Sequence, residues 1–339
     1  MPEFEPSIVA DRLCKNFGRQ VAVKDLSFTV DKGEIVGFLG PNGAGKSTTF
    51  RILTGILPAT SGHLRVSGLA VPHYSDEVRR RIGYMPENNP LPGDMRVIEY
   101  LRFRARIKGI PFRQRKSAIE RALEVCELHR KSRRKIIGTL SKGFRQRVGI
   151  ADAILASPEV TILDEPTIGL DPHQVIAIRK LLDQLRGETT VIFSSHILSE
   201  VEVSCDRVLI LNQGRLVAQG TAEELRREFL PGARYRLEVA ALRERLQEAL
   251  KQLPSPWQYT VEPDTRPGFQ AVTLLNPAKG EHGPALLRNL MRHPDLDIRS
   301  FQPVEPSLED IFLTATRRSW DIRASSPSTS LPPSDQESA

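Results

Sequence analysis

The first stretch of the chain alternates. Leu26, Phe28 and Val30 are apolar between polar neighbours, and Asp31-Lys32-Gly33 makes a turn, so residues 8–33 predict an antiparallel edge. The pattern then changes period. Ile35 to Leu39 is a short apolar run, and Thr48 to Leu57 is compatible with a helix that stops at Pro58. Residues 63–67 and 82–84 predict short strands, and a proline-rich loop follows from Pro86 to Pro92. Ile98, Leu101 and Ala105 fall at helical spacing within 97–108, and 114–128 reads as a second helix. A helix over 143–156 precedes Val160 to Leu163, four apolar or β-branched residues of the kind a buried parallel strand contains. A helix over 173–185, a buried strand over 189–193 and a hairpin over 207–219, turning at Gln213-Gly214, come next. Alternating strands and helices predict an α/β fold: a mainly parallel sheet flanked by helices, with an antiparallel edge and a helical insert.

A second pattern begins after Phe229-Leu230-Pro231-Gly232. Thr221 and Glu224 form the capping box of the helix before it. Tyr235, Leu237 and Val239 alternate as a strand, and Leu242, Leu246, Leu250 and Leu253 mark a helix. Strand-like runs at 257–262 and 269–275, a helix near 284–292 and a strand over 296–301 complete the order βαββαβ, which predicts a small ferredoxin-like α+β domain. The expected organisation is a first domain over 1–228 with a helical subdomain at about 95–157, and a small α+β domain over 233–318. A last helix is expected over 307–316, and a disordered, Ser- and Pro-rich tail over 321–339.

Composition changes this picture little. A chain of 339 residues, 40% hydrophobic and 26% charged, suits two globular domains. No run reaches the ~18 apolar residues of a membrane span, and the N-terminus shows no secretion signal. Cys14, Cys126 and Cys205 are far apart and in no metal-like spacing, as expected of reduced thiols. Charge is more informative. The formal net charge is +7, yet Arg96 to Lys135 alone holds fourteen Lys/Arg against four Glu. Such a segment meets nucleic acid, an anionic membrane surface or an acidic partner, or it is a solvated helix face.

The chemistry centres on Gly40-Pro41-Asn42-Gly43-Ala44-Gly45-Lys46-Ser47-Thr48, which fits the phosphate-binding pattern G-x-x-x-x-G-K-[ST] between a predicted strand and a predicted helix. Glycines let successive backbone N–H groups curl around an anion, and the following helix points its positive end at it. Lys46 adds a full charge toward the β- and γ-phosphates, and the Ser47 hydroxyl is a ligand for Mg²⁺. Farther along, the strand 160–163 ends in Asp164-Glu165. Acids at the carboxyl end of a parallel strand lie in the ligand crevice. Asp164 suits Mg²⁺, and Glu165 suits the polarisation of an attacking water.

The order of motifs resembles the ATP-binding subunit of an ABC transporter. It comprises Gly40–Thr48, then Leu140-Ser141-Lys142-Gly143-Phe144-Arg145-Gln146-Arg147, Ile162-Leu163-Asp164-Glu165-Pro166, Gly169-Leu170-Asp171 and Ser195-His196. The resemblance covers residues 8 to about 225. It implies ATP and Mg²⁺ bound at the interface of two such subunits, a homodimer in the expected case. Each copy would give its phosphate loop to one site and its signature, Ser141 to Phe144, to the other. It further implies Phe17 on the adenine, Glu87 where a glutamine usually senses Mg²⁺ and the membrane partner, Asp171 coupling the sites across the dimer, and His196 at the γ-phosphate beside Glu165. The implied partner is a separately encoded integral membrane permease, with this chain on the cytoplasmic face of the cell membrane and no nucleic acid involved. The ending Ser307-Leu308-Glu309-Asp310-Ile311-Phe312 resembles subunits of bacterial drug, sodium and gliding-type exporters.

Glu87, Lys142 and Phe144 depart from the family pattern, and the bulk of Lys142 is expected to restrict backbone approach. A soluble ABC-type ATPase acting on ribosomes or nucleic acid is the alternative, given the basic segment. Against it stand a single phosphate loop and no sustained heptads. A GTPase would need Asn-Lys-x-Asp, which does not occur.

Overall fold

The computed structural model describes residues 5–128, 131–253, 256–262, 269–278 and 282–324. The chain divides into two compact units between Glu224 and Leu225. Elements of the first unit, in chain order, are β1 (Ile8–Phe17), β2 (Gln20–Val30), β3 (Ile35–Leu39), α1 (Lys46–Leu53), β4 (Ser61–Val66), β5 (Leu69–Val71), α2 (Ser75–Arg81) and β6 (Ile82–Met85). Then come α3 (Val97–Ile107), α4 (Phe112–Val125), α5 (Lys142–Ile154), β7 (Val160–Leu163), α6 (Pro172–Leu185), β8 (Thr190–Ser195), α7 (Leu198–Ser204), β9 (Arg207–Asn212) and β10 (Arg215–Gly220). The unit boundary falls inside α8 (Ala222–Phe229), whose Thr221 and Glu224 exchange the two capping-box hydrogen bonds.

Two sheets build the first unit. One has the order β2-β1-β4-β5 and is antiparallel; the other has the order β10-β9-β3-β8-β7-β6. In the larger sheet every pairing is parallel except β10 with β9. Its central strands are buried along their whole length, which is why they read as continuous apolar runs. The hydrophobic core draws on both sheets and α1. Phe38 on β3 meets Phe28 of β2 at 5.3 Å and Phe50 of α1 at 5.2 Å, both edge to face. Each fully buried ring of this kind contributes about 1.5–3 kcal/mol. The packing clamps the strand before the phosphate loop to the helix after it.

Register decides what meets at the sheet's carboxyl edge. Leu163 of β7 pairs with Phe193 of β8, and Leu39 of β3 pairs with Ser195. The residues that follow, Asp164 and Gly40, therefore emerge beside Ser194 and His196.

The helical insert, α3 to α5, lies between β6 and β7. Much of its positive charge is spent internally. Asp152 of α5 takes Arg104 at 2.9 Å, Lys108 at 3.7 Å and the Tyr100 hydroxyl at 3.3 Å. Burial pushes the Lys108 ammonium below its ordinary value, and the charge of Asp152 opposes that shift. Arg133 pairs with Glu120, Arg147 with Glu127, and Arg121 donates to the Ile154 carbonyl. The segment is thus in part a set of ties between helices rather than an open cationic face.

The second unit contains β11 (Ala233–Ala240), α9 (Arg243–Lys251), β12 (Gln258–Val261), β13 (Gln270–Asn276), α10 (Gly283–Leu290), β14 (Asp297–Pro303) and α11 (Leu308–Ala324). Its sheet is antiparallel in the order β12-β13-β11-β14. That is the order expected of a ferredoxin-like βαββαβ unit. It has its own core, in which Tyr235, Leu237 and Val239 pack with Leu246, Leu250, Leu286 and Leu290. One expectation needs correction. Residues 321–324, read as the start of a disordered tail, are the last turn of α11, a helix capped at its start by Ser307 and Asp310. The remainder of that tail, 325–339, lies outside the described residues. Three short elements, β5, α2 and α7, were not expected from the sequence at all.

Candidate active site

The loop between β3 and α1 wraps one end of a cavity of about 760 Å³, lined by Pro41 to Thr48 with Phe17, Glu87, Glu165, Ile168 and His196. Gly45 has φ +100°, and a Cβ there would fall 2.6 Å from the Ala22 carbonyl oxygen. Only glycine fits that turn, which leads directly into α1. Gly40 borders the loop from beneath: its carbonyl accepts from the Lys46 ammonium at 2.6 Å. Lys46 is buried, and its Nζ also stands 3.5 Å from Glu165 Oε1. The lysine is therefore held over the loop and against the carboxylate.

Asp164 and Glu165 are 2% and 5% exposed. Their geometry follows from β8. Ser194 Oγ donates to Asp164 Oδ1 at 2.7 Å and accepts the Glu165 N–H at 2.8 Å. His196 Nδ1 lies 2.7 Å from Glu165 Oε2. An ionised carboxylate only accepts, so a proton on Nδ1 makes this bond and leaves Nε2 as the other ring nitrogen. Glu165 has φ +50°, in the left-handed region, a conformation that costs a non-glycine residue about 1–2 kcal/mol. Tyr84, on β6, feels the same negative charge. Burial first, then Asp164, raises its hydroxyl to about 12.

Of the remaining expected residues, Ser141 to Phe144 and Asp171 stand apart from this cavity's lining. Ser141 caps α5, accepting the Phe144 N–H at a loose 3.5 Å. Asp171 caps α6 more tightly, accepting the Gln174 N–H at 3.0 Å. Gly143 lies against the Gln174 side chain, and Phe144 is partly exposed with the Arg147 guanidinium 5.6 Å from its ring centre. Lys142 runs its ammonium onto Gly169, whose φ is +67° and where a Cβ would collide with it. The bulk of Lys142 is therefore directed along its own chain's 169–171 turn, not across the backbone of Gly143. Phe17 is half exposed on the cavity, with Lys15 Nζ 5.2 Å from its ring centre.

Four side chains were missed from the sequence. Ser194 orients both carboxylates. Thr167 and Glu200 lie just behind them, joined by a hydrogen bond. Asn89, two residues beyond Glu87, donates to the Arg145 carbonyl at 3.0 Å and so ties the loop after β6 to α5. The first carried only a partial signal: two serines precede His196 at the end of an apolar run, which marks the position but not its partner.

The chain is similar to known proteins. The family model described as ABC transporter matches residues 23–168. The model for the C-terminal domain of DrrA1-3-like ATP-binding proteins matches 220–316. The linearmycin resistance ATP-binding protein LnrL of Bacillus subtilis (strain 168) is 32% identical over 314 residues, which is 91% of this chain and 98% of that one. The structure of cbiO1 from Clostridium perfringens, part of the ABC transporter complex cbiONQ, aligns with a TM-score of 0.60 at 30% identity, covering 66% of this chain and 92% of the other. A dimeric structure of MJ0796, a bacterial ABC transporter cassette, aligns with a TM-score of 0.58 at 25% identity, covering 63% and 98%.

A glycine-lined loop on a parallel sheet, with a buried lysine facing paired acids, defines a P-loop nucleoside triphosphatase. Within that class the chain belongs to the ATP-binding subunits of ABC transporters. It is an ATPase that powers a separate membrane permease, and its relatives favour that reading over one on ribosomes or nucleic acid.

Proposed function

We propose that ATP is hydrolysed in the cavity above β3, β7 and β8, with Glu165 as the base and two copies of the chain closing on the nucleotide. The observation that carries this reading is the cluster in which Glu165 touches both Lys46, at 3.5 Å, and His196, at 2.7 Å. Lys46 moves from the Gly40 carbonyl toward the terminal phosphates as they arrive. Glu165 polarises the attacking water, and His196 holds the carboxylate and faces the γ-phosphate. Phe17 stacks on the base. Ser141 and Gly143 of a second, identical copy cover the γ-phosphate, and Asp171 joins the two sites.

The oxygen donors fit Mg²⁺. Ser47 lines the cavity, Asp164 is fixed behind it by Ser194, and Glu87 stands at the rim. Those residues would hold the ion, which supplies positive charge to the β- and γ-phosphates when bound. Glu87 offers an anionic oxygen where an amide is usual, and either group accepts a hydrogen bond from metal-bound water. Glu87→Gln should therefore keep at least about a third of the wild-type ATPase rate in a phosphate-release assay. Complete loss would assign the carboxylate a role of its own.

The permease has a candidate seat. A second cavity, of about 750 Å³, opens between α2, β6 and α3, where Ile56, Ile107 and Tyr84 mix with Arg79, Arg80 and Lys108. Among the described residues no helix is long and apolar enough to cross a membrane. Bound through its partner, the subunit would sit on the cytoplasmic face. The resemblance of the ending Ser307 to Phe312 to exporter subunits supports an exporter. Affinity capture of the full chain from its native membranes, followed by mass spectrometry, tests this. An integral membrane protein should be recovered with it. Recovery with ribosomes, and with no membrane protein, would overturn the proposal.

A further inference from the structure

Behind the two carboxylates lies a third that the scheme above does not use. Glu200, in the first turn of α7, is 5% exposed. Its Oε2 accepts from Thr167 Oγ1 at 2.5 Å and from Ser195 Oγ at 3.3 Å. Both hydroxyls belong to buried residues, Thr167 at 7% and Ser195 at 0% exposure. Burying a carboxylate is costly unless its hydrogen bonds are made, and here they come from the loop after β7 and from the last residue of β8. Thr167 is two residues beyond Glu165. Ser195 is the residue before His196, and its Oγ also accepts the Ile197 N–H at 3.0 Å.

We infer that Glu200 is a positioning residue: one carboxylate oxygen ties the backbone after Glu165 to the backbone around His196, and so fixes the distance between base and histidine. The inference rests on the assignment of Glu165 and His196 made above. Three adjacent residues, the last two of β8 and the one after it, divide the work. Ser194 holds Asp164 and the Glu165 N–H, Ser195 holds Glu200, and His196 holds the Glu165 side chain. Glu165 sits in a left-handed conformation that persists only where its surroundings over-determine it. Ser194 fixes the N-terminal side of that residue. The Glu200–Thr167 bond fixes the C-terminal side, where the Ile168 N–H also returns to the Glu165 carbonyl at 3.2 Å. Release of either tether lets the carboxylate drift from His196, and displacements of about 1 Å cost up to roughly a hundredfold in rate.

The test uses the full chain with Thr167→Val, Glu200→Ala, Glu200→Gln and the double variant Thr167→Val/Glu200→Ala. Turnover is expressed per nucleotide-binding site, counted by equilibrium ATP binding, so loss of folded protein does not register as loss of rate. Thr167→Val and Glu200→Ala should each lower kcat by about ten- to a hundredfold while KM for ATP moves by less than about twofold. The double variant should be no slower than Glu200→Ala alone, because both changes open one tether. Glu200→Gln should recover most of the rate, since its amide oxygen still accepts both hydroxyls. A wild-type kcat in Thr167→Val, losses that multiply in the double variant, or a Gln variant as slow as Ala would each overturn the inference. Thr167→Val preserves shape and carries the test if Glu200→Ala does not fold. Glu165→Gln is run alongside. Full turnover there would sink the site assignment itself, whereas an inert Glu165→Gln beside a full-rate Thr167→Val would sink only the tether.

Discussion

Glu165→Gln is expected to lower ATP turnover by about 10²- to 10⁴-fold, the range a general base contributes, with ATP affinity essentially unchanged. Shape is preserved, so the 2.7 Å approach to His196 and the N–H bond to Ser194 have no steric reason to fail. Basicity is what disappears. An amide cannot take the proton from water, and it no longer opposes the charge of Lys46, 3.5 Å away. With hydrolysis blocked, bound ATP is not consumed. The variant should therefore accumulate as an ATP-bound dimer, read by gel filtration with and without ATP. Phosphate release at the wild-type rate would remove Glu165 from the chemistry.

Lys46→Ala should fail one step earlier. Lys46 is the buried cation of the loop, and its ammonium is already desolvated, held at 2.6 Å by the Gly40 carbonyl. Truncating one member of a buried charge pair costs about 2–5 kcal/mol. We expect ATP affinity to fall by roughly a hundredfold or more, about 2.7 kcal/mol at a hundredfold. The empty space also leaves Glu165 facing Asp164 without a nearby cation, which destabilises the pair of acids. Isothermal titration with ATP, at a concentration where the wild type saturates, checks the result. Undiminished binding would mean that the loop's backbone N–H groups alone hold the triphosphate.

Where chemistry is bound to spacing, it was legible in the sequence. The nine residues from Gly40 to Thr48 must be contiguous to wrap a phosphate, so the loop is visible without knowledge of its surroundings. Asp164-Glu165 was visible because a buried parallel strand has an apolar signature and must end somewhere. The βαββαβ order of the second unit came from alternation and helical spacing, both local. What stayed hidden depends on register. Nothing within the 190–200 segment says that Ser194 will meet Asp164; that follows from Leu163 pairing with Phe193. Glu200 sits on a seven-residue helix, too short to show a period, and reads as one more surface acid. Helix α2 buries only Val78, so its pattern is nearly blank. The end of α11 was misplaced because composition was averaged over 321–339, while the Ser and Pro residues concentrate after Ala324.

The left-handed backbone at Glu165 has a bearing on descent. A side chain in that conformation weakens the native state, and glycine would relieve the strain by about 1 kcal/mol. Selection for durability alone would remove the acid. A lineage in which this subunit ceased to turn over its nucleotide, and only clasped it, would be free to exchange position 165 for glycine and gain backbone stability there. On the proposed role of Glu165, such a chain would gain backbone stability at this position and give up turnover.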